Sequence, residues 1–194
     1  LFDYEGFLEK PTPGQTNSTL LVGVVESVAF NQKSGFYPVG QEISITTKTT
    51  DAEIYFTTDG SLPDATNGTL YQSPIALTND FVIRAIAIKP RYQSSRIKMR
   101  SFFANDTPVN EIRPNAMERR LPIVSLVMDP GVFEMIHQDR DLKGRDGERT
   151  AHLEWLGLAN NVNDRVACGL RVRHADDSSS SPEKHSYQIY FRDE

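Results

Sequence analysis

The sequence predicts a mainly β chain, in which a β-sandwich of short strands precedes a partial, strand-rich α+β segment. Two observations carry this expectation. From Ser27 to Ala104, short runs alternate polar and apolar residues. Turn residues interrupt them about every ten positions, as in a sandwich of half-buried strands. From Leu121 onward, strand-like runs return around one stretch with helix-start chemistry. The 194 residues are 38% hydrophobic and 24% charged, a globular composition at a length that buries a core without disulfides or metal.

The elements follow in chain order. Leu1 to Thr19 holds Pro11-Thr12-Pro13-Gly14 and a polar tail, and the prolines oppose both helix and central strand. Residues 1–26 therefore read as a linker, with Phe2, Tyr4, Phe7 and Leu8 as the last strand of a preceding domain. Glu42-Ile43-Ser44-Ile45-Thr46 and Ala52 to Thr58 (AEIYFTT) alternate as half-buried strands. Asp59-Gly60 then supplies a turn where positive φ is cheap. Phe81 to Ile88 (FVIRAIAI) is the clearest strand, and Arg96 to Phe103 alternates again.

Residues 105–120, with Pro108 and Pro114, read as a second linker, with a short helix at Asn115 to Arg120 as the alternative. Leu121 to Met128 opens a new unit with a buried-type strand. Asp129-Pro130-Gly131 begins a helix running to Gln138, with Asp129 as N-cap and Pro130 at the tolerated first position. Thr150 to Leu156 and Gly169 to Arg173 alternate as strands, with turn chemistry at Asn160 to Asp164. Asp176 to Pro182 is a polar loop, and Ser186 to Phe191 is a final strand.

Bulk chemistry excludes several classes of function. The net charge is -5, whereas nonspecific nucleic-acid binding needs a basic surface. No run approaches the roughly 20 apolar residues of a membrane span. Cys168 is the one cysteine, so it reads as a small buried hydrophobe. His137, His152, His174 and His185 show no zinc-motif spacing, and Asp139-Arg140-Asp141 lacks the rest of a calcium loop. No metal site is expected. Asp51, Glu53 and Asp59 would need to face one another across a cleft to hydrolyse a glycoside. Beside a turn they read as solvated carboxylates. Tyr37, Tyr55, Tyr71, Tyr92 and Trp155 offer faces on which a sugar ring would stack, although aromatics at strand spacing more commonly fill a core. Asn17, Asn67 and Asn105 stand in N-x-Ser/Thr sequons and otherwise read as turn residues.

Gly35-Phe36-Tyr37-Pro38, then Ala52 to Pro63 (AEIYFTTDGSLP), Tyr71 to Ile75 (YQSPI) and Val82 to Ala87 (VIRAIA) resemble one family. It is the chitobiase/β-hexosaminidase C-terminal-like domain, an immunoglobulin- or fibronectin-III-like sandwich. The resemblance covers nearly all of residues 27–104 and implies a non-catalytic accessory module of secreted multidomain proteins. The span holds neither His nor Cys, so histidine base catalysis and thiolate chemistry are unavailable there.

A second resemblance covers residues 121–194. Leu121 to Leu126 (LPIVSL), Gly144 to Glu154 (GRDGERTAHLE), Gly169 to Arg173 (GLRVR) and Lys184 to Arg192 (KHSYQIYFR) stand in the order seen in the N-terminal part of spore-coat-protein-H (CotH) kinase-like domains. It implies Lys184 as the residue touching a nucleotide phosphate, with Arg171 and Arg173 in support on one strand face. Their ordinary reading is a solvated basic edge. His174-Ala175-Asp176-Asp177 stand where that family shows glycines, and Gly147 where it often has an aromatic. The family's catalytic and metal-binding acids fall beyond Glu194, so ATP and a divalent metal are expected only in a longer parent. Pro11 to Asn17 (PTPGQTN) resembles the end of a lamin-tail sandwich. The expectation is a spacer or accessory module of a secreted, carbohydrate-associated protein, partnered by neighbouring domains of the same chain and by polysaccharide. The alternative is the front part of an atypical kinase.

Overall fold

A computed structural model describes residues 7–8, 20–104, 123–138, 142, 144–156, 163–173 and 186–191. The expectations for residues 105–120, Asp176, Asp177, His174, Lys184 and His185 lie outside this set. The chain is mainly β and divides into two compact units, Leu1–Thr58 with Leu62–Asn105, and Asp59–Ser61 with Asp106–Glu194.

The first unit is a two-layer sandwich. One layer is a five-stranded sheet of β1 (Gly35–Tyr37), β2 (Glu53–Thr57), β3 (Thr69–Leu70), β4 (Phe81–Ile88) and β5 (Lys98–Ala104), in the order β1-β5-β4-β2-β3. Neighbours are antiparallel except β1 and β5, which run parallel with Gly35 opposite Phe102 and Tyr37 opposite Ala104. The other layer is made of two-residue pairings: Ala29–Phe30 with Ile45–Thr46, Glu42–Ile43 with Ile75–Ala76, and Gly23–Val24 with Tyr92–Gln93. Phe7–Leu8, expected as part of a strand, pairs antiparallel with Leu20–Leu21.

Alternation dictates which side of the sheet is apolar. Ile54 and Phe56 of β2, Phe81, Ile83, Ala85 and Ala87 of β4, and Phe102 and Ala104 of β5 share one face. Val25, Val28, Ile43, Ile45 and Leu77 of the smaller layer pack against them. Phe102 is fully buried and is ringed by Phe81, Tyr37 and Phe30 at centroid distances of 5.9, 6.0 and 6.4 Å. The other face is less open than alternation implies, because Thr57, Arg84, Met99 and Ser101 are also buried there.

The expected strand over residues 42–46 is broken at Ser44, whose N–H donates to Asn31 Oδ1 while its carbonyl accepts from Asn31 N–H. Gly60 does adopt the left-handed region, at φ 88°, and Asp59 Oδ1 accepts from Ser61 N and Oγ at 2.9 and 2.6 Å. The turn is not a tight hairpin, because the partner of β2 begins only at Thr69. A second turn closes the connection. In it Asp64 Oδ1 accepts from Thr66 N, Thr66 Oγ1 and Asn67 N at 2.6, 2.7 and 2.7 Å.

The second unit is a four-stranded antiparallel sheet, β6 (Ile123–Val127), β7 (Arg149–Leu156), β8 (Asn163–Arg173) and β9 (Ser186–Tyr190), in sequential order. Helix α1 (Pro130–Gln138) packs on it through Ile136, against Ala151, Cys168, Leu170 and Val172. Its start is as expected. Asp129 Oδ1 accepts from Gly131 N and Val132 N at 3.0 and 3.3 Å, satisfying donors that the helix leaves open. The turn expected at Asn160 to Asp164 is shorter on its C-terminal side, since β8 already includes Asn163 and Asp164.

Two outcomes follow from this packing. Phe102→Ala removes the centre of the aromatic ring of contacts and costs about 3–5 kcal/mol, measured by urea unfolding followed by far-UV circular dichroism. The Asp64 carboxyl is held below the usual carboxylate range, first by the Thr66 hydroxyl and then by the Asn67 and Thr66 amides. A lowered folded value means that its contribution is present above the unfolded carboxylate range and is lost as pH falls through the lowered one. The Thr66 and Asn67 amide NMR shifts should therefore hold through the ordinary aspartate range and move only in stronger acid.

Candidate functional site

The packing sorts the four tyrosines among the five aromatic sugar-contact candidates. Tyr37 and Tyr71 lie on the packed face of the first unit. The Tyr37 hydroxyl donates to the Lys33 carbonyl at 2.9 Å, and burial pushes it above the usual tyrosine range. Tyr71 meets Phe56 edge-on at 6.3 Å. Both rings are partly buried against the core. Tyr92 carries the Lys89 ammonium 5.1 Å from its ring centre. Tyr55 differs, because it stands on the opposite face of β2, flanked in register by Leu70 and Ile86. Its hydroxyl donates to Glu53 Oε2 at 2.8 Å, and that bond raises its titration above the ordinary value. Tyr55, Glu53 and exposed Leu70 form an outward strip with an apolar floor and one carboxylate, the combination a sugar's ring face and hydroxyls require.

The paired-carboxylate question is answered by the same strand. The Asp51 carboxylate lies on the surface 4.0 Å from Lys89 Nζ, and Glu53 accepts the Tyr55 hydroxyl. They serve different partners and enclose no cleft between them.

In the second unit the register places Val124, Leu126, Trp155, Leu153, Ala151, Val166, Cys168, Leu170, Val172, Ile189 and Tyr187 on one face. Helix α1 covers part of it. His137 fixes the helix end to the sheet, with Nδ1 2.7 Å from the Phe133 carbonyl and Nε2 2.8 Å from the Tyr187 hydroxyl. A carbonyl can only accept, so Nδ1 carries a proton, while the Tyr187 hydroxyl can pair with Nε2 in either direction. Beyond the helix, Val124, Leu126, Trp155, Val166 and Ile189 remain exposed. A cavity of about 270 Å3 lined by Leu126, Met128, Pro130, Phe133 and Leu170 opens beside them. This apolar surface goes beyond Trp155, the one member that sequence reasoning singled out. The signal was present in the alternation of each strand, but the pairing that joins them was not. Cys168 is buried, and burial raises its thiol above the usual range, as an inert core residue requires.

The opposite face mixes Arg171, Gln188 and Tyr190 with the buried Val127, Glu154 and Leu156. Arg171 sits beside Gln188 in register and donates to Gln188 Oε1 at 2.5 Å and to the Gly144 carbonyl at 3.5 Å, with its guanidinium 5.5 Å from the Tyr190 ring centre. Arg149, which the register places opposite Leu170 at the edge of the apolar face, donates to the Asp146 and Glu148 carbonyls at 2.6 and 3.0 Å. The two arginines therefore hold the turn Gly144–Gly147. Glu154, buried despite its charge, lies opposite Ser125 on one side and Arg165 on the other. Arg173 is the last residue of β8, and Lys184 is outside the described residues. Among the described residues no three His, Cys, Asp or Glu side chains gather as metal ligands, and no helix is long and apolar enough to cross a membrane.

No curated protein and no solved structure matches the chain. Residues 32–99, the heart of the sandwich, match the family model of the chitobiase/beta-hexosaminidase C-terminal domain.

Proposed function

We propose that the chain serves as a non-catalytic accessory or spacer module in an exported multidomain protein that works near polysaccharide. The single observation carrying this reading is the match of residues 32–99 to a domain named for hexosamine-cleaving enzymes. The sandwich chemistry supports it. The carboxylates and hydroxyls at its turns are spent on turn geometry, as at Asp59 with Ser61 and Asp64 with Thr66. The surface best suited to a sugar is the Tyr55–Glu53 strip, with exposed Trp155 as an independent second platform. Retention of the chain on insoluble β-linked hexosamine polymers such as chitin tests this. Tyr55→Ala should weaken retention about tenfold, the effect of one lost aromatic contact. No retention across a broad polysaccharide panel would leave only the spacer role.

A second reading concerns residues 121–194 and rests on the ordered sequence resemblance of Leu121 to Leu126, Gly144 to Glu154, Gly169 to Arg173 and Lys184 to Arg192 to the front part of a CotH-type kinase-like domain. In that reading ATP and a divalent metal are bound in a longer parent. Arg171 would have to leave Gln188 and Tyr190 to reach a phosphate, which makes Lys184 the stronger candidate for that contact. Calorimetric titration of the parent with ATP and magnesium decides it. Binding heat that is abolished by Lys184→Ala supports the reading, and absence of heat in the parent ends it.

A further inference from the structure

The turn that joins β2 to β3 contains Asn67-Gly68, and this dipeptide has chemistry of its own. An asparagine followed by glycine is hydrolytically labile, because no side chain shields the following amide nitrogen. The Gly68 nitrogen can attack Asn67 Cγ. The Cγ–Nδ2 bond then breaks, and Nδ2 leaves as ammonia with the proton from the Gly68 amide, closing a five-membered succinimide. Water opens that ring at either of two C–N bonds. One opening gives aspartate. The other gives isoaspartate, in which the main chain runs through the former side-chain carbon.

The fold requires the glycine. A Cβ at position 68 would lie 2.7 Å from the Asp64 carbonyl oxygen and 2.9 Å from Tyr55 Cβ, both too close. Gly68 is therefore seated against β2, and no larger residue could remove the labile pair from this side. The same turn ties down every group that the reaction needs. The Gly68 N–H donates to the Asp64 carbonyl at 2.8 Å, which occupies the would-be nucleophile. The Asn67 side-chain amide donates to the Leu62 carbonyl at 3.0 Å, which holds the leaving group. The Asn67 N–H donates to Asp64 Oδ1 at 2.7 Å, which fixes the residue between them.

We propose that Asn67-Gly68 is a latent self-modification site held shut by Asp64, and that it converts to aspartate and isoaspartate when this turn opens. Conversion cannot be silent. A carboxylate at position 67 has no hydrogen to give the Leu62 carbonyl and stands beside the Asp64 carboxylate. Isoaspartate adds one methylene to the main chain just before Gly68, which displaces it from Tyr55 and withdraws Thr69 and Leu70 from their pairing with Phe56 and Tyr55. The modification thus frees the edge of the sheet beside the outward strip.

The test is peptide mapping by mass spectrometry, with enzymatic isoaspartate labelling, during incubation at mildly alkaline pH. The folded chain should convert far more slowly than the same chain in urea. Asp64→Ala, shown by circular dichroism to remain folded, should convert about tenfold faster than the parent, as expected when the hydrogen bonds closing a local opening are lost. Asp64→Asn keeps an acceptor oxygen and replaces it if the alanine variant does not fold, and it too should accelerate conversion. Equal rates in the folded and urea-unfolded parent would overturn the proposal. So would a folded Asp64 variant that converts no faster than the parent.

Discussion

The buried side of the five-stranded sheet depends on one residue more than on any other. Phe102 meets Phe30 from the opposite layer, Tyr37 from a strand that lies far away in the sequence, and Phe81 from the neighbouring strand. These contacts fix the register of β5 against β4 and β1. A one-residue slip would turn Phe102 and its neighbours outward. The two-residue pairings of the other layer are too short to hold themselves together. They persist because Ile43, Ile45 and Leu77 bury against that same sheet face. The outward position of Tyr55 is a consequence of the same register, since it is fixed once Ile54 and Phe56 point inward.

Some of this was legible from the sequence. Phe81 to Ile88 is long enough for alternation to be unambiguous, and the strand occupies those residues without adjustment. Asp129-Pro130 announced a helix start, because an N-cap acceptor followed by a residue without an N–H has few other uses. What escaped was everything that depends on pairing. Tyr37, Tyr55 and Tyr71 look alike in sequence, and only register distinguishes the two that pack inward from the one that does not. Ser44 looked like the middle of a strand, but its backbone groups are taken by Asn31. Asp59-Gly60 looked like a complete hairpin, while the chain continues to a second turn at Asp64 before pairing again.

The second unit shows what a single sheet does with two unlike faces. One face is apolar and takes the helix, and the helix is shorter than the face it covers. The other mixes Arg171, Gln188, Tyr190 and Glu154 with buried Val127 and Leu156, and Arg171 donates to the Gly144 carbonyl of the adjoining turn. Arg171 is half-buried, and its terminal nitrogens meet a carbonyl and a side-chain amide oxygen with a ring beside the guanidinium, an arrangement that suits a fixed structural arginine. The sequence showed the alternation in β6 to β9 individually. It did not show that Val124 stands opposite Trp155 and Leu153 opposite Val166, which is what joins separate apolar residues into one surface.

The parallel pairing of β1 with β5 has a mechanical meaning. These strands lie far apart in the sequence yet side by side in the sheet, with Gly35, Phe36 and Tyr37 opposite Phe102, Phe103 and Ala104. Tension drawn through the start of β1 and the end of β5 would pull the two strands past each other along their length. Their hydrogen bonds would then share the force together, where an antiparallel hairpin pulled from its open end would release them one after another. A sheet closed this way yields to such a pull only when the whole pairing gives at once.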